Sequence, residues 1–346
     1  MCFTKTIIGG SLGIGMNFTV FMTNMCNLNC NYCYEKNKKN RSISYEVLNA
    51  FIEMVANYDG EISIVIHGGE PLLEFEKIKY LINKINTRKK NGAVTYSLTT
   101  NGTLLNGEVA EFLKDKIDSL AISIDGNKEL HDLNRIDKKN EGTYDTVIEN
   151  INNYFPNDKN RINARMTINT LNYTGVDKSI IHLINMGFGR ISPVVDQFDL
   201  WSKNQWDELL EKLQKVKRYI EKENIKAEIG LIYDAKYKCK NSVCNGGITT
   251  IVVDSDGALY PCIVVNGKSE YCIGDVFNGV NIDRVRKIHE HDRSKVESCV
   301  GCSRYDYCEA TRCKLINKYQ TGKWNQPNIN ICKIHNIKIS LATSEK

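Results

Sequence analysis

The first two-thirds of the chain alternate between short apolar, β-rich segments and amphipathic helical segments, and this alternation constrains the fold most. Six strands are predicted, at residues 18–23, 61–66, 95–100, 119–124, 163–168 and 189–194. Helices are predicted at residues 45–57, 74–88, 107–116, 143–154, 175–186 and 205–224, the first with Ser44 as its N-cap. The pattern predicts a parallel sheet with right-handed crossovers, either an incomplete (β/α) barrel or a doubly wound sheet. In both architectures ligands bind at the carboxyl ends of the strands.

The last third of the chain has a different organisation. Beyond about residue 235 the alternation stops, and cysteines, glycines and short strand-like pieces such as residues 249–254 follow. A length of 346 residues leaves room for one large α/β domain and a smaller one. We therefore expect a second region that is held together by bound metal.

Charge and hydropathy argue against two classes of partner. The net charge of +5 is mild, and no long basic run with interleaved aromatic residues is present, so no nucleic-acid partner is expected. No segment approaches the apolar run that a membrane helix needs. Residues 1–15 make a poor signal peptide, because no basic start leads into a sustained apolar stretch. We expect a cytoplasmic protein with no membrane partner.

The thirteen cysteines are distributed unevenly. One is Cys2, three lie between residues 26 and 33, and nine follow from Cys239 onward. An odd total excludes complete internal pairing, and thiols in the cytoplasm are kept reduced. The clustering therefore indicates two regions that bind metal.

Cys26, Cys30 and Cys33 directly follow the first predicted strand. Three thiolates so close together can converge on one iron–sulfur cluster from a loop. Three ligands for a four-iron cluster leave one iron open, as a catalytic site requires. The same spacing also fits a zinc knuckle completed by a distant residue, or chance clustering.

Four further motifs end predicted strands or follow them in order. They comprise Gly68, Gly69, Glu70 and Pro71; Thr100, Asn101 and Gly102; Ser123, Asp125 and Gly126; and His131, Asn134 and Arg135. Together with the cysteine motif and its aromatic Tyr32, this ordered set resembles the radical S-adenosylmethionine (radical SAM) enzymes. Each motif alone is also compatible with an ordinary turn or loop.

The resemblance implies roles for these residues. The backbone of Gly68–Pro71 is expected to bind the methionine amino group of S-adenosylmethionine, because glycine lets the main chain approach a ligand closely. Ser123 and Arg135 are expected to hold the cofactor's carboxylate, which suits a guanidinium. The resemblance also implies that Thr100 and Asn101 are among the residues that bind the cofactor.

The later cysteines resemble the SPASM domain, which carries auxiliary clusters in many radical SAM enzymes that modify peptides. The matching positions are Cys244, Gly257 and Cys262, then Cys299, Cys302, Cys308, Cys313 and Cys332. One spacing departs from the family, since four residues separate Cys308 from Cys313 where three are usual. Two ligand sets follow from the resemblance, Cys239, Cys244, Cys262 and Cys313 for one cluster and Cys299, Cys302, Cys308 and Cys332 for the other. Zinc is the alternative metal for such a region.

Cys2 and Cys272 are left over from these sets. We interpret Cys2 as a disordered terminal thiol and Cys272 as a buried, small apolar residue.

The architecture that the resemblance implies is α/β, a partial (β/α)6 TIM-like barrel followed by a small, cysteine-rich, cluster-binding SPASM domain. The expected divisions are an N-terminal extension at 1–17, the radical SAM core at 18–230 and the SPASM domain at 231–346. The expected cofactors are S-adenosylmethionine and three [4Fe-4S] clusters. A flavodoxin or a ferredoxin is the expected electron donor.

The implied reaction is reductive cleavage of S-adenosylmethionine to a 5′-deoxyadenosyl radical, which abstracts hydrogen from a peptide or protein. The chain resembles anaerobic sulfatase-maturating enzymes over most of its length. Those enzymes carry an aspartate after the YPC cysteine that is thought to deprotonate the substrate, and here that position is Ile263. Maturation of a ribosomally made peptide, by thioether or carbon–carbon crosslinking or by epimerisation, is therefore favoured.

Two other functions stay open, sulfatase maturation and a non-catalytic iron–sulfur electron carrier. About seventeen residues precede the first strand, too few for a leader-binding domain. A separate leader-peptide recognition protein is therefore one expected partner. Direct binding of the substrate to the barrel mouth and the SPASM region is the other option.

Overall fold

The computed structural model describes residues 15–33, 40–233 and 244–343. Within these ranges one mixed sheet runs through the molecule, in the order β11-β10-β9-β8-β1-β2-β3-β4-β5-β6-β7. The strands are β1 Met16–Phe21, β2 Ile62–His67, β3 Val94–Thr100, β4 Ser119–Ser123, β5 Asn163–Ile168, β6 Arg190–Val195, β7 Glu228–Ile229, β8 Thr250–Val253, β9 Ala258–Tyr260, β10 Gly274–Asp275 and β11 Gly279–Val280.

Helices connect the strands of the first two-thirds and continue into the last third. They are α1 Tyr45–Ala56, α2 Phe75–Arg88, α3 Gly107–Lys116, α4 Lys128–Asn134, α5 Tyr144–Tyr154, α6 Val176–Asn185, α7 Lys203–Lys222, α8 Ile282–His289, α9 Glu309–Arg312, α10 Lys314–Thr321 and α11 Ile329–Thr343. All six predicted strands and all six predicted helices are confirmed, with ends that shift by two residues at most. Ser44 caps α1 as predicted, since its hydroxyl accepts a hydrogen bond from Val47 N at 3.2 Å.

The order of the strands decides between the two predicted architectures. β1 to β6 are neighbours in chain order and pair in parallel throughout. A doubly wound sheet reverses its order at a switch point, whereas a barrel adds each new strand on the same side. The fold is therefore the partial barrel that was predicted, within a mixed α/β structure.

The two faces of the barrel strands differ in chemistry. In β5, Ala164, Met166 and Ile168 are buried against the helices, while Arg165 on the opposite face is exposed and Asn163 and Thr167 are half-buried. The helix-facing side is the main apolar core, which includes Phe18 and Phe51 with ring centroids 5.4 Å apart. The other face is the barrel interior, and it is open and partly polar.

The last third joins the barrel sheet directly. Thr250–Val253, which the sequence placed in the metal-bound region, forms β8 and pairs in parallel with β1 from Asn17 to Val20. β9 then returns antiparallel, and β10 and β11 extend the sheet. The cysteine-rich region is thereby fixed to the edge of the barrel that carries the first cysteine motif.

None of the helices in the described ranges is long and apolar enough to cross a membrane.

Candidate active site

The first three cysteines lie on the loop that follows β1, at the carboxyl ends of the barrel strands. Cys26, Cys30 and Cys33 are all half-buried thiols. The loop is held by backbone hydrogen bonds to the last residue of α4 and to the segment that follows it, from Asn31 N to Asn134 O at 2.9 Å and from Asn29 N to Ile136 O at 2.8 Å. Burial raises the pKa of Cys26 to about 12 and also raises the pKa of Cys30. The thiols therefore sit in a water-poor loop at the barrel mouth.

The glycines after β2 pack against the start of this loop. Gly69 N donates to Thr23 O at 2.9 Å, and Glu70 N donates to Met25 O at 2.9 Å. A Cβ on Gly69 would lie 2.2 Å from Met25 O, and one on Gly68, whose φ is +154°, would lie 2.4 Å from Thr23 O. The close approach that glycine permits is thus made to the chain's own backbone.

Glu70 links the end of β2 to the end of β3. Its buried carboxylate accepts hydrogen bonds from Leu72 N at 3.1 Å, Thr100 Oγ1 at 2.8 Å and Asn101 N at 2.7 Å. Burial raises the pKa of Glu70 to about 7, although these three hydrogen bonds oppose the rise. Pro71, also buried, begins the short 3-10 turn Pro71–Glu74.

Asn101 connects the third strand to the cysteine loop. Its amide nitrogen lies 3.8 Å from Cys26 Sγ and donates to Asn27 Oδ1 at 2.8 Å. Its amide oxygen accepts hydrogen bonds from Thr103 N at 3.0 Å and Thr103 Oγ1 at 2.7 Å. The predicted residues Thr100 and Asn101 are therefore brought to the first cysteine through Glu70 and Asn27.

Asp125 belongs to one of the predicted motifs but had no predicted role of its own. In the structure its carboxylate connects three segments of the site. Its fully buried carboxylate accepts hydrogen bonds from Tyr32 Oη at 2.6 Å, Arg135 Nη2 at 3.1 Å and Thr167 N at 2.9 Å. An acidic residue directly after an apolar strand was the signal available in the sequence. Its partners come from three separate segments, which the sequence does not relate.

Arg135 lies between this carboxylate and the cysteine loop. It is only 7% exposed, and its guanidinium carbon is 5.3 Å from the centroid of the Tyr32 ring. Its Nε is buried and has no hydrogen-bond partner among the described residues. The guanidinium thus faces Asp125, Tyr32 and the Cys30 side of the loop.

Ser123 has another arginine beside it. Ser123 and Arg165 are register partners on β4 and β5, and Arg165 is also the register partner of Ser192 on β6. Register partners project from the same face of a sheet, and Arg165 is exposed there, in the barrel interior. Sequence reasoning missed Arg165, because strand pairing is needed to bring it to Ser123.

Comparison with known protein families decides what this arrangement belongs to. Residues 20–186 match the model of the radical SAM superfamily. The chain belongs to the radical SAM superfamily. This matched span contains the three cysteines of the first loop and every predicted cofactor-binding residue.

Curated relatives match over most of the radical SAM chain. Uncharacterized protein MJ0907 of Methanocaldococcus jannaschii is 30% identical over 273 residues, covering 74% of this chain and 86% of the relative. A cysteine-type anaerobic sulfatase-maturating enzyme of Clostridium novyi is 26% identical over 330 residues, covering 82% and 84%.

Solved structures share the radical SAM fold at low identity. Native anSMEcpe with bound AdoMet superposes with a TM-score of 0.78 at 21% identity, covering 95% of this chain and 97% of that one. Streptococcus suis SuiB bound to the precursor peptide SuiA gives a TM-score of 0.67 at 17% identity, covering 93% and 76%. The likeness extends through the C-terminal region of this radical SAM protein.

The later cysteines of this radical SAM chain fall into two groups. Beyond the effect of burial, Cys244 and Cys262 raise the pKa of Cys313, and Cys299 and Cys302 raise the pKa of Cys332. Cys308 belongs with the second group, since Cys332 and Cys299 raise its pKa. The cysteines that affect one another's pKa are members of the same predicted ligand set, and the ligand sets themselves stay predictions. Cys239 and Cys2 lie outside the described residues.

Metal ligation differs between a cluster and a single ion. Within residues 15–33, 40–233 and 244–343, no three His, Cys, Asp or Glu side chains gather closely enough to hold one metal ion. The thiolates of a zinc site share one ion at about 2.3 Å, whereas those of a four-iron cluster each bind a different iron. Metal analysis distinguishes the two kinds of site.

Ile263 lies in an apolar cluster beside the barrel interior. It packs with Cys272 against the buried residues Phe21, Val252 and Tyr260. Cys272, predicted to be a buried apolar residue, is half-buried, and its thiol donates to Gly274 O at 3.3 Å. No proton acceptor is supplied by residue 263 itself.

A buried polar group ties β8 to the start of the cysteine loop. Asp254, which follows β8, accepts hydrogen bonds from Arg41 Nη2 at 3.1 Å and Asn24 Nδ2 at 3.3 Å. Ser255 donates to Asn24 Oδ1 and accepts from Arg41 Nε at 3.0 Å. Because Asn24 lies two residues before Cys26, the C-terminal region is fixed to the loop through these contacts.

Proposed function

We propose that this radical SAM protein reductively cleaves S-adenosylmethionine and abstracts a hydrogen atom from a peptide, as a maturase of ribosomally made peptides. The observation that carries the proposal is the loop with Cys26, Cys30 and Cys33 at the open mouth of the barrel. These three thiols would hold a [4Fe-4S] cluster with one iron open to the cofactor. Reductive cleavage of S-adenosylmethionine is the chemistry that the bound cluster supplies.

The residues around the loop fit a cluster. A buried N–H of Arg135 is without a partner among the described residues, and Asn101 Nδ2 lies 3.8 Å from Cys26 Sγ. Cluster sulfides and thiolates are acceptors for such N–H groups. The donor set of three cysteines and surrounding N–H groups therefore supports an anionic iron–sulfur centre.

Binding of S-adenosylmethionine is assigned to the strand ends beside this loop. Since the N–H groups of Gly69 and Glu70 donate to Thr23 and Met25, the carbonyl groups of this turn are the natural acceptors for the cofactor's ammonium. For the carboxylate we propose Ser123 with Arg165. Arg165 is exposed in the barrel interior next to Ser123, while Arg135 is buried against Asp125.

Two auxiliary [4Fe-4S] clusters complete the proposal. The effects of Cys244, Cys262 and Cys313 on one another's pKa support one ligand set, with Cys239 as the expected fourth member. Cys299, Cys302, Cys308 and Cys332 form the other. With four cysteines on each cluster, electron transfer is the favoured role. The barrel at 18–230 and the region at 231–346 remain the proposed domains.

The substrate proposal rests on Ile263 and its surroundings. An isoleucine that packs with Phe21 and Tyr260 cannot accept a proton from a substrate. Structures of anSMEcpe with Kp18Cys peptide and of SuiB with SuiA are of peptide-bound proteins with this fold. A peptide substrate that needs no aspartate at position 263 fits both observations.

Sulfatase maturation is the second candidate, because curated relatives of Clostridium novyi and Clostridium perfringens carry that name. The two functions differ in product. Conversion of a cysteine to formylglycine removes the sulfur, whereas a crosslink removes two hydrogen atoms and keeps it.

The test is a mass-spectrometric assay of the reduced, cluster-loaded protein with S-adenosylmethionine and two peptides. One is a cysteine peptide from a sulfatase, and the other is a short cysteine-containing peptide encoded beside the gene. We expect loss of two hydrogens, or a deuterium-labelled epimer in heavy water, only in the second. Formylglycine in the first peptide would favour the sulfatase alternative and contradict the peptide-maturase proposal.

A further inference from the structure

We propose that Arg135 is a positioning and redox-tuning residue, a buried cation that raises the reduction potential of the cluster held by Cys26, Cys30 and Cys33. The inference rests on the proposed function, since it concerns the same cluster. It gives Arg135 a role other than holding the carboxylate of S-adenosylmethionine.

The first step is that Arg135 is fixed on the protein side of the loop. Nη2 donates to Asp125 Oδ1 at 3.1 Å, and the side chain of Asp125 is 0% exposed. The ring centroid of Tyr32 lies 5.3 Å from the guanidinium carbon, and the Tyr32 hydroxyl donates to the same carboxylate. A guanidinium held on two sides has little freedom to turn toward a ligand in the barrel interior.

The second step is that the cation lies against the cysteine loop. Tyr32, whose ring centroid is 5.3 Å from the guanidinium carbon of Arg135, stands two residues after Cys30. Asn31 N, next to Cys30, donates to the carbonyl oxygen of Asn134, the residue before Arg135, at 2.9 Å. The Nε of Arg135 is buried and has no hydrogen-bond partner among the described residues, which leaves one N–H of this cation available.

The third step is electrostatic. Reduction adds one negative charge to the cluster, and a buried cation stabilises the more negative state in a medium of low dielectric constant. Removal of Arg135 should lower the potential, and removal of the Asp125 charge should raise it. The two substitutions act in opposite directions, which general damage to the fold would not do.

The experiment is a redox titration of the cluster-loaded protein, followed by the electron paramagnetic resonance signal that changes when S-adenosylmethionine is added. This criterion selects the first cluster among the others. Arg135→Gln should cut the ratio of reduced to oxidised cluster at fixed potential at least tenfold, which corresponds to about 59 mV for a one-electron couple. Asp125→Asn should raise the ratio, and Arg135→Lys should retain most of the wild-type value.

Arg190→Gln is the matched control, because it also removes one positive charge. Arg190 is exposed, pairs with Glu228 at 3.0 Å and begins β6, at the end of the sheet away from the cysteine loop. The reduction potential of the first cluster in Arg190→Gln should equal that of the wild type. The dissociation constant of S-adenosylmethionine is measured for every variant by the same spectral change.

Three results separate the possible failures. A wild-type protein whose signal responds to S-adenosylmethionine, with an unchanged potential in Arg135→Gln and Asp125→Asn, overturns the inference and leaves the proposed function standing. If Arg135→Gln instead loses only cofactor affinity, Arg135 is a carboxylate ligand and the inference is overturned. A wild-type signal that does not respond to S-adenosylmethionine overturns the proposed function and the inference with it.

Discussion

Several polar residues of the site hold other residues in place and are themselves shielded from the barrel interior. Glu70 and Asp125 are almost fully buried, and each accepts three hydrogen bonds from different segments. A buried carboxylate with satisfied acceptors fixes geometry at the cost of desolvation. Such residues explain how short motifs from separate strands meet the cysteine loop.

Glu70→Gln tests this at the residue that links β2 to β3. An amide has one accepting oxygen where the carboxyl group has two, so it cannot accept hydrogen bonds from Leu72, Thr100 and Asn101 together. At acidic pH we therefore expect the free energy of unfolding of the variant to be lower than that of the wild type by about 1–3 kcal/mol. Because the pKa of Glu70 is raised from 4.5 to about 7 in the fold, the wild-type carboxyl stabilises the fold less as the pH rises through this window.

The measurement is the thermal unfolding midpoint of both proteins, under anaerobic conditions, between about pH 5 and pH 8. The advantage of the wild type over Glu70→Gln should shrink as the pH rises. An advantage that stays constant from about pH 5 to pH 8 would show that the carboxyl is ionised throughout and that the pKa of Glu70 is not raised.

Arg165→Gln tests the proposed carboxylate site. Loss of one charge-assisted hydrogen bond costs about 1.5–3 kcal/mol, so the dissociation constant of S-adenosylmethionine should rise by roughly tenfold or more. Ser123→Ala should weaken binding less. Equilibrium binding to the cluster-loaded protein gives both constants, with Arg190→Gln as the charge-matched control. Unaltered binding in Arg165→Gln would refute the assignment.

At the scale of elements, the helices and strands could be predicted because each follows from local periodicity and capping. Ser44 and the apolar stripe of α1 are local signals, and so are the β-rich segments. The pairing of β8 with β1 is not local, since more than two hundred residues separate Thr250 from Asn17. For the same reason the sequence could not relate Arg165 to Ser123, or Asp125 to Tyr32.

Asp254→Ala tests the connection between β8 and the cysteine loop. It removes a buried carboxylate that accepts hydrogen bonds from Arg41 and Asn24, so we expect the free energy of unfolding to fall by about 1–3 kcal/mol. Hydrogen exchange should quicken at the amides of residues 250–253 and 17–20, which form the β8–β1 ladder.

Asp256→Ala is the control for this substitution. Asp256 also pairs with Arg41, at 2.9 Å, but its side chain is 41% exposed, so its removal should cost only about 0.2–1 kcal/mol. Equal rates of hydrogen exchange in Asp254→Ala and Asp256→Ala would mean that Asp254 does not hold β8 and β1 together.

At the scale of the whole molecule, the sequence predicted a barrel and a cysteine-rich region, and the structure joins them through one sheet. The first cysteine loop, after β1, and Cys262, after β9, are thereby fixed relative to each other through β1, β8 and β9. Such a fixed separation supports the proposed transfer of electrons between the first cluster and an auxiliary cluster. Which cysteines are expected to bind the same cluster could be predicted from the family resemblance, but not from their spacing alone.

Metal content tests the proposed number of centres. Three four-iron clusters predict about twelve irons and little zinc per chain in anaerobically prepared protein. Elemental analysis with a sulfide assay gives both values. About four irons with stoichiometric zinc would contradict the proposed auxiliary clusters, while leaving the first cluster in place.

The central claim is that Cys26, Cys30 and Cys33 hold a cluster that cleaves S-adenosylmethionine. Its most direct test is to incubate the reduced, cluster-loaded protein with S-adenosylmethionine and quantify 5′-deoxyadenosine, beside Cys30→Ala and the control Cys272→Ala. We predict release of 5′-deoxyadenosine by the wild type and by Cys272→Ala, and none by Cys30→Ala. Absence of 5′-deoxyadenosine from wild-type protein with its clusters intact, or undiminished release by Cys30→Ala, would contradict the account.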